Sequence, residues 1–525
     1  MLVPHQWLAC LASALLLSPA AASAGDPAPS PATSDTLILF EDEPPTDEGG
    51  DTIHLDFGDD EPPAQSTVEL LDTLFDGTFT SELTIDLRNE TPWEHAVRFR
   101  NRLDLALSHE LGAGFDVRIA GRMTWWVWST SSGDARTSFE PDLRDTWLRW
   151  RFPGVLDVTV GTQVFAWGAA DALSAVDRLN PVDRRDSITA SLETPKIPLF
   201  AVTLAHSGGP ELGLRFVWAP FFEADRQAVF GDDFSLLGPD PEGSPLAPSR
   251  AAMNALGAID DSIVDEVQPI LLSPSRPEHH HLDNSTIGAR VTSTLGGVDL
   301  ALSYIWGWER TPVIRIDPRL PSLTALLEPE PDPAALAEAF ALFGQLQSGA
   351  VSFGDLYASH YERSHLVGFD LAAPMWDLTI KAEAAFSSAR VVYDAAFESI
   401  VTPSVRAVVG LDYTWETTLV VTLEASWEHL LDVGDRDLFL TRRDDVQVAA
   451  VLALRLLEGD ALQIQAAVLY GATQDDWIVV PEVTWRIADG WAVSAGARAF
   501  EGASGSRGGH FDANDEAYVL GRADF

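Results

Sequence analysis

The chain has 525 residues, 34 basic against 79 acidic, a formal net charge of −45 and a single cysteine. So large an acidic excess weighs against nucleic acid or an anionic surface as a partner. A single thiol excludes a disulfide scaffold, and the length suits one large barrel or two to four soluble domains.

Residues 1–24 read as a secretory signal: Leu8–Leu17 is an apolar core and Ala22-Ser23-Ala24 fits the small-residue cleavage rule. Cys10 falls inside this segment, so the mature chain is expected to hold no thiol and no Cys-based metal or Fe–S site. No later run reaches the ~18 apolar residues of a membrane-spanning helix. Residues 25–76 are acidic and rich in Pro and Ser, and are expected to form a solvated linker rather than a plug.

From residue 77 to 525 the expected fold is all-β, a transmembrane antiparallel up-and-down barrel of about 18 strands (16–18). Eighteen segments alternate apolar and polar residues: 79–88, 96–108, 113–127, 142–152, 156–165, 197–205, 210–218, 285–295, 298–308, 362–372, 376–386, 404–415, 418–428, 446–457, 461–471, 477–487, 491–500 and 516–525. Most are ~10 residues, enough to cross a bilayer at a tilt. Val405–Glu428 shows the plan best. Ala407, Val409, Leu411 and Tyr413 alternate with Val408, Gly410, Asp412 and Thr414; after Glu416-Thr417, Leu419, Val421, Leu423, Ala425 and Trp427 alternate with Val420, Thr422, Glu424 and Ser426. Side chains on a strand alternate faces, so each strand has one side for lipid and one for a wet interior.

The connections support the same fold. Every second one is short, as at Gly296-Gly297, Glu416-Thr417 and Ala488–Gly490, while those between are mostly longer, up to Ala219–Asn284. Barrels of the outer membrane sort periplasmic turns from extracellular loops in this way. Aromatics gather at segment ends: Trp125, Trp126, Trp128, Trp218, Trp306, Trp308 and Trp427 on the long-loop side, and Trp150, Phe152, Trp415, Trp485 and Trp491 on the turn side, as interfacial girdles would. The chain ends on a strand with Phe525, which resembles the signal read by the barrel-assembly machinery. The expected partners are therefore outer-membrane lipid, that machinery and an unknown solute, with room for partner transport proteins.

The candidate site lies on the polar faces. Arg98, Arg100, Arg102, Arg118, Arg122 and Arg149 mark the early segments; Asp370, Lys381, Glu383, Asp412 and Glu424 mark later ones. A charge at the hydrocarbon midplane costs ~2–4 kcal/mol, so these groups must line the lumen. Two readings stay open: a basic wall opposite an acidic wall, whose field sets selectivity, or an ion-pair network that only fills the interior. After the fifth segment comes Gly161-Thr-Gln163, then Trp167-Gly168, Asp171, Asp177, Asn180-Pro181-Val-Asp183 and Arg185, expected as a constriction loop. Gly168 permits a tight turn, and Asn180-Pro181 initiates one.

On these residues, with Val217–Glu223 and Phe500-Glu501-Gly502, the chain resembles a family of proteobacterial outer-membrane proteins known only as a domain of unknown function, similar in build to alginate-export barrels. The resemblance implies the barrel fold and the outer-membrane location. Arg184, where the family tends to have an apolar residue, and the acidic tail depart from the pattern.

Of the long loops, one carries Glu278-His279-His280-His281, read as an ordinary exposed loop, and Asp332–Leu346 reads as a short helix begun by Asp332-Pro333. The leading expectation is a passive channel or export conduit, not an enzyme, with no catalytic residue, cofactor or metal. A barrel-borne hydrolase would need a histidine beside a nucleophile, and His365, the one well-placed strand histidine, has lipid-face parity. A binding or structural barrel is the third reading, although no EF-hand run of acids is present.

Overall fold

The computed structural model describes residues 75–88, 95–130, 135–185, 196–207, 212–227, 233–235, 282–317, 319–326, 330–395, 398–416 and 418–525. The expected signal, the acidic stretch up to residue 74 and Glu278–His281 lie outside the described residues.

The first half of the wall is built from β1 (Phe75–Asp86), β2 (His95–Gly112), β3 (Phe115–Thr130), β4 (Ala135–Leu143), β5 (Thr146–Phe152), β6 (Leu156–Gln163), β7 (Leu199–Ser207), β8 (Leu212–Ala219), β9 (Thr286–Leu295) and β10 (Val298–Trp308). A long loop follows, with a hairpin of β11 (Val313–Ile316) and β12 (Tyr357–His360) around α1 (Pro333–Gln347) and α2 (Phe353–Leu356). The second half comprises β13 (Arg363–Met375), β14 (Leu378–Asp394), β15 (Ser399–Trp415), β16 (Leu419–Leu430), the stub β17 (Leu438–Phe439), β18 (Asp444–Leu456), β19 (Leu462–Gly471), β20 (Asp476–Ala488), β21 (Trp491–Glu501) and β22 (Glu516–Asp524). Between β21 and β22 sits α3 (Arg507–His510).

Each stave pairs antiparallel with the next, and β22 returns to β1, with Thr78 opposite Asp524 and Asp86 opposite Glu516. Because β4 and β5 both lie on β3 as halves of one stave, the closed wall has 18 staves. Closure leaves no sheet edge, which a barrel in hydrocarbon requires because lipid cannot hydrogen-bond a bare backbone. Phe525 continues the seam beyond β22: its N–H donates to Gly77 O at 2.9 Å, and Gly77 N–H donates back at 2.8 Å.

Alternation fixes which side faces in. On β16, Thr422, Glu424, Ser426 and Glu428 are buried inside, while Leu423 and Trp427 stay exposed outside. Ile119, Leu302, Val409, Leu411 and Val519 are likewise exposed around the wall. Such a belt would be an aggregation hazard in water but is the stable surface in lipid. Trp415, Trp485 and Trp491 ring the turn side, and both glycines of the β9–β10 turn have positive φ (62° and 82°), as a two-residue primed turn demands.

Three details differ from the sequence reading. Trp126 and Trp128 do not join the girdle; they share the inward parity of Asp116 and Thr124, and Trp126 lies under Arg98 and Arg100 at 5.9 and 5.3 Å. Trp125 takes the outward place, because neighbours on a strand point to opposite faces. β14 and β15 run past the expected ends at 386 and 404, leaving residues 395–398 as their connection. The extension is supported by a buried cluster of Val392, Ile400, Leu430, Val433 and Leu438. The stave expected over 142–152 begins at Ala135 and breaks at Arg144-Asp145.

The helix read at Asp332–Leu346 is α1, capped by Asp332, whose carboxylate accepts from Ala335 N–H, with Pro at the first position. It packs on the 3-10 turn Leu320–Leu326 of its own loop.

Candidate functional site

The break in the fourth stave prepares the site. Thr146 Oγ1 takes the place of a ladder partner, accepting from Ala120 N–H and donating to Ala120 O, both at 2.9 Å. Asp145, released from the ladder, accepts from Val164 N–H at 3.0 Å just beyond the end of β6. There the chain leaves the wall and enters the barrel.

Asn180 fastens the root of this inner segment. Its Oδ1 accepts from Phe165 N–H at 2.7 Å, and its Nδ2 donates to Gln163 O and Ile197 O at 3.0 and 2.9 Å. Lys196 spans the same root, donating to Phe165 O and pairing with Asp177 at 2.5 Å. Asp183 pairs with Arg185 at 2.7 Å, and Arg185 forms a bidentate fork on Glu140 at 3.0 and 2.9 Å.

The tip is held by two wall carboxylates. Glu383 of β14 accepts from Ala169 N–H and Ala170 N–H through one oxygen (2.6 and 2.7 Å), and from Ser174 Oγ, Ala175 N–H and Val176 N–H through the other (2.8, 2.6 and 3.2 Å). Glu424 of β16 accepts from the N–H groups of Asp171, Ala172 and Leu173 at 2.6, 3.1 and 2.8 Å. A tight turn has no regular ladder for its N–H groups, and buried N–H groups must find acceptors. Ionised carboxylates satisfy several at once, each bond contributing ~1.5–3 kcal/mol. Gly168, at φ +119°, makes the fit possible: a Cβ there would lie 2.4 Å from Glu383 Oε1 and 2.6 Å from Ser174 Oγ.

Further contacts spread the segment over the inner wall. Trp167 is 1% exposed and lies against Gly288 of β9, with Arg290 5.9 Å from its ring. Val176 fills the space beside Gly368 of β13. Asp171 pairs with Lys381, which also holds Asp412 at 2.5 Å. Arg406 of β15 donates to Leu173 O at 3.2 Å.

Four of the early arginines, Arg98, Arg100, Arg102 and Arg122, are neutralised within their own wall. Arg100 pairs with Glu82 at 2.5 Å, and Arg98 and Arg498 converge on Glu516 at 3.2 and 2.7 Å. Arg102 and Arg122 share Asp104 at 3.2 and 2.6 Å. Arg118 donates to Ser108 Oγ at 3.1 Å, and Arg149 stacks 4.5 Å from the Trp147 ring. These groups form a local network, and Glu383 and Glu424 are spent on the inner segment rather than facing arginines across an open bore.

Sequence reasoning missed Arg178, Arg390, Arg406 and Glu428, which line a cavity of about 370 Å³ beside the inner segment. Arg406 and Glu428 sit opposite each other in register, and extending the polar parity of Val405–Glu428 would have found them. Arg390 follows a bulge between Ser387 and Arg390 that breaks the parity. His365 keeps the outward parity read for it, with Tyr304 Oη at 2.9 Å from its Nδ1. Among the described residues no group of His, Cys, Asp or Glu is arranged to hold a metal ion.

Comparison with known proteins gives a family and a set of similar folds. The model of DUF1302, described as a protein of unknown function, matches residues 73–519. No curated protein matches the chain. Among solved structures, OccAB1 of Acinetobacter baumannii aligns at 8% identity over 86% of this chain and 96% of that one, with a TM-score of 0.45. OccK5 (OpdH) of Pseudomonas aeruginosa aligns at 10% identity over 86% and 97%, TM-score 0.43. A mutant of the Rh. blastica porin aligns at 16% over 86% and 99%, TM-score 0.34.

Proposed function

This chain belongs to DUF1302, a family of proteins of unknown function, and on its own geometry we propose that it is a passive solute channel of the outer membrane, narrowed by residues 164–185. The observation that carries this reading is the pinning of the inner segment by Glu383 and Glu424, eight donors onto two carboxylates on the lumen side of a lipid-facing wall. A barrel interior that served only as filler would need no chain segment held in so particular a place. Fixed by charge-assisted bonds, the segment sets the width of the bore without moving parts, and transport needs no covalent step.

Planar-bilayer recording tests the proposal. Refolded, heat-modifiable protein is expected to give discrete conductance steps. The pair Glu383→Ala with Glu424→Ala is expected to raise the step size and make it noisy, because the released segment no longer holds one position. Correctly folded protein that leaves the bilayer insulating would refute the channel, and unchanged steps in the double variant would refute the role of the segment.

A further inference from the structure

The chain as a whole is strongly acidic, yet the cavity beside the inner segment gathers arginines. Some of the charges lining it are already closely matched: Lys196 with Asp177 at 2.5 Å and Arg507 with Asp445 at 3.1 Å. Asp171 is taken by Lys381. What remains on the lining is Arg178, Arg184, Arg310, Arg390 and Arg406 against Asp225, Glu309 and Glu428, five positive less three negative, an excess of two.

The remaining pairs are long and short of acceptors. Arg390 lies 3.4 Å from both Glu309 and Glu428, Arg406 lies 3.9 Å from Glu428, and Arg184 lies 3.9 Å from Asp225. The Nε atoms of Arg390, Arg406 and Arg310 are buried without a hydrogen-bond partner among the described residues. Arg178 makes no close ion pair among the described residues, although it lies near enough to Glu428 and Arg406 to act on both. A guanidinium has five N–H donors and no acceptor, so Arg178, Arg390 and Arg406, with only Glu309 and Glu428 among them, leave donors over. Buried polar groups in this state are costly, and a bound anion would satisfy them.

The rest of the lining mixes uncharged polar side chains, such as Ser364, Ser387, Thr441 and Gln447, with apolar ones. Ile305, Leu366, Val391, Leu469, Phe439 and Phe511 all border the same space. A purely inorganic anion would leave that surface idle. The volume, about 370 Å³, sits at the small end of the ~300–1,000 Å³ of ligand pockets.

We infer that the cavity binds a small organic carboxylate with an apolar body, its two oxygens on Arg178, Arg390 and Arg406 and its body against Phe439, Phe511 and their aliphatic neighbours. The site rests on the channel reading only for its role: in a conducting barrel it is the place where such a solute pauses on its way through.

Benzoate is the probe, with benzamide as the uncharged isostere and sulfate as the anion without an apolar body. Titration calorimetry on the refolded full chain is expected to show benzoate binding, with neither control matching it. Arg178→Gln and Arg406→Gln are each expected to weaken benzoate by roughly tenfold or more, and Arg151→Gln, at the turn side, is expected to leave it unchanged. Arg178→Gln removes no close ion pair, so it keeps the test sharp if Arg406→Gln misfolds. Absence of benzoate heat in the folded protein, equal binding of benzamide or sulfate, or full affinity in Arg178→Gln would overturn the inference. Bilayer recording on the same material separates the two readings. Conductance that benzoate neither binds to nor blocks sinks the site and spares the channel; benzoate binding in a protein that never conducts spares the site and sinks the channel.

Discussion

Gly168 shows how much can hang on one missing methyl group. Its backbone has φ +119°, and the space a Cβ would need is filled by Glu383 Oε1 at 2.4 Å. Gly168→Ala must either push the carboxylate away or move the chain, and either shift lengthens the bonds to Ala169, Ala170 and Ala175. At ~1.5–3 kcal/mol per charge-assisted bond, losing two is enough to free the tip. The barrel itself should hardly notice, since its ladders are untouched. The expected result for Gly168→Ala is fast hydrogen exchange at Ala169, Ala170 and Ala175 with a thermal midpoint close to that of the parent. Persistent protection of those amides would show that the glycine is dispensable. Asn180→Ala probes the other end of the same segment. It orphans Phe165 N–H and two carbonyls, each costing about 1–3 kcal/mol when buried, and is expected to expose residues 164–180 to protease.

At the scale of the strand, alternation decides the outcome, and the lipid-facing assignment can be tested by breaking it. Val409 is 62% exposed on the outward face of β15. Val409→Arg is expected to cost ~2–4 kcal/mol in urea unfolding from liposomes, as for a charge near the bilayer midplane. Thr422→Lys, inward on the neighbouring strand, should cost much less, because it points to a polar interior beside Asp412. Equal costs would mean that the two faces share one environment. The same rule explains what could be read from the chain alone. Glu383, Asp412 and Glu424 fall on the inner face by counting in twos, and the eighteen staves are legible because each holds that count over a run long enough to cross the wall. Arg390 was not legible, because the bulge after Ser387 shifts the count. Nor was the fate of Glu383, whose partners Ala169 and Ala175 lie more than 200 positions away in the chain. The motif at Trp167–Arg185 announced a special loop, but local sequence holds no record of which distant acceptor a turn will find. The neutralisation of Arg98, Arg100, Arg102 and Arg122 by Glu82, Asp104 and Glu516 depends on cross-strand register, which turn lengths fix only once the barrel closes.

For the whole molecule, the two ends of the barrel differ in kind. One end has tight turns such as Gly296-Gly297 and Asp489-Gly490; the other carries the loops at residues 309–362, 431–443 and 502–515. The arginine-lined cavity belongs to the loop end, since Trp308, Glu309, Phe439 and Phe511 border it. If the loops face the outside, as they do in outer-membrane barrels, a solute arriving from the medium meets the arginines before it reaches the narrowing at Gly168. If the orientation is reversed, the same cavity becomes an exit vestibule. Cysteine labelling separates these cases without background, because Cys10 lies in the segment expected to be removed. Gly344 on α1 has open space around its Cα, and Asp489 is an exposed turn residue. In intact cells, a membrane-impermeant maleimide is expected to label Gly344→Cys and to spare Asp489→Cys until the outer membrane is permeabilised. The opposite pattern would invert the barrel and turn the path of the solute around. Labelling of both sites in intact cells would show that the wall does not separate two compartments, and the belt of Ile119, Leu302, Val409 and Val519 would then need a partner other than lipid.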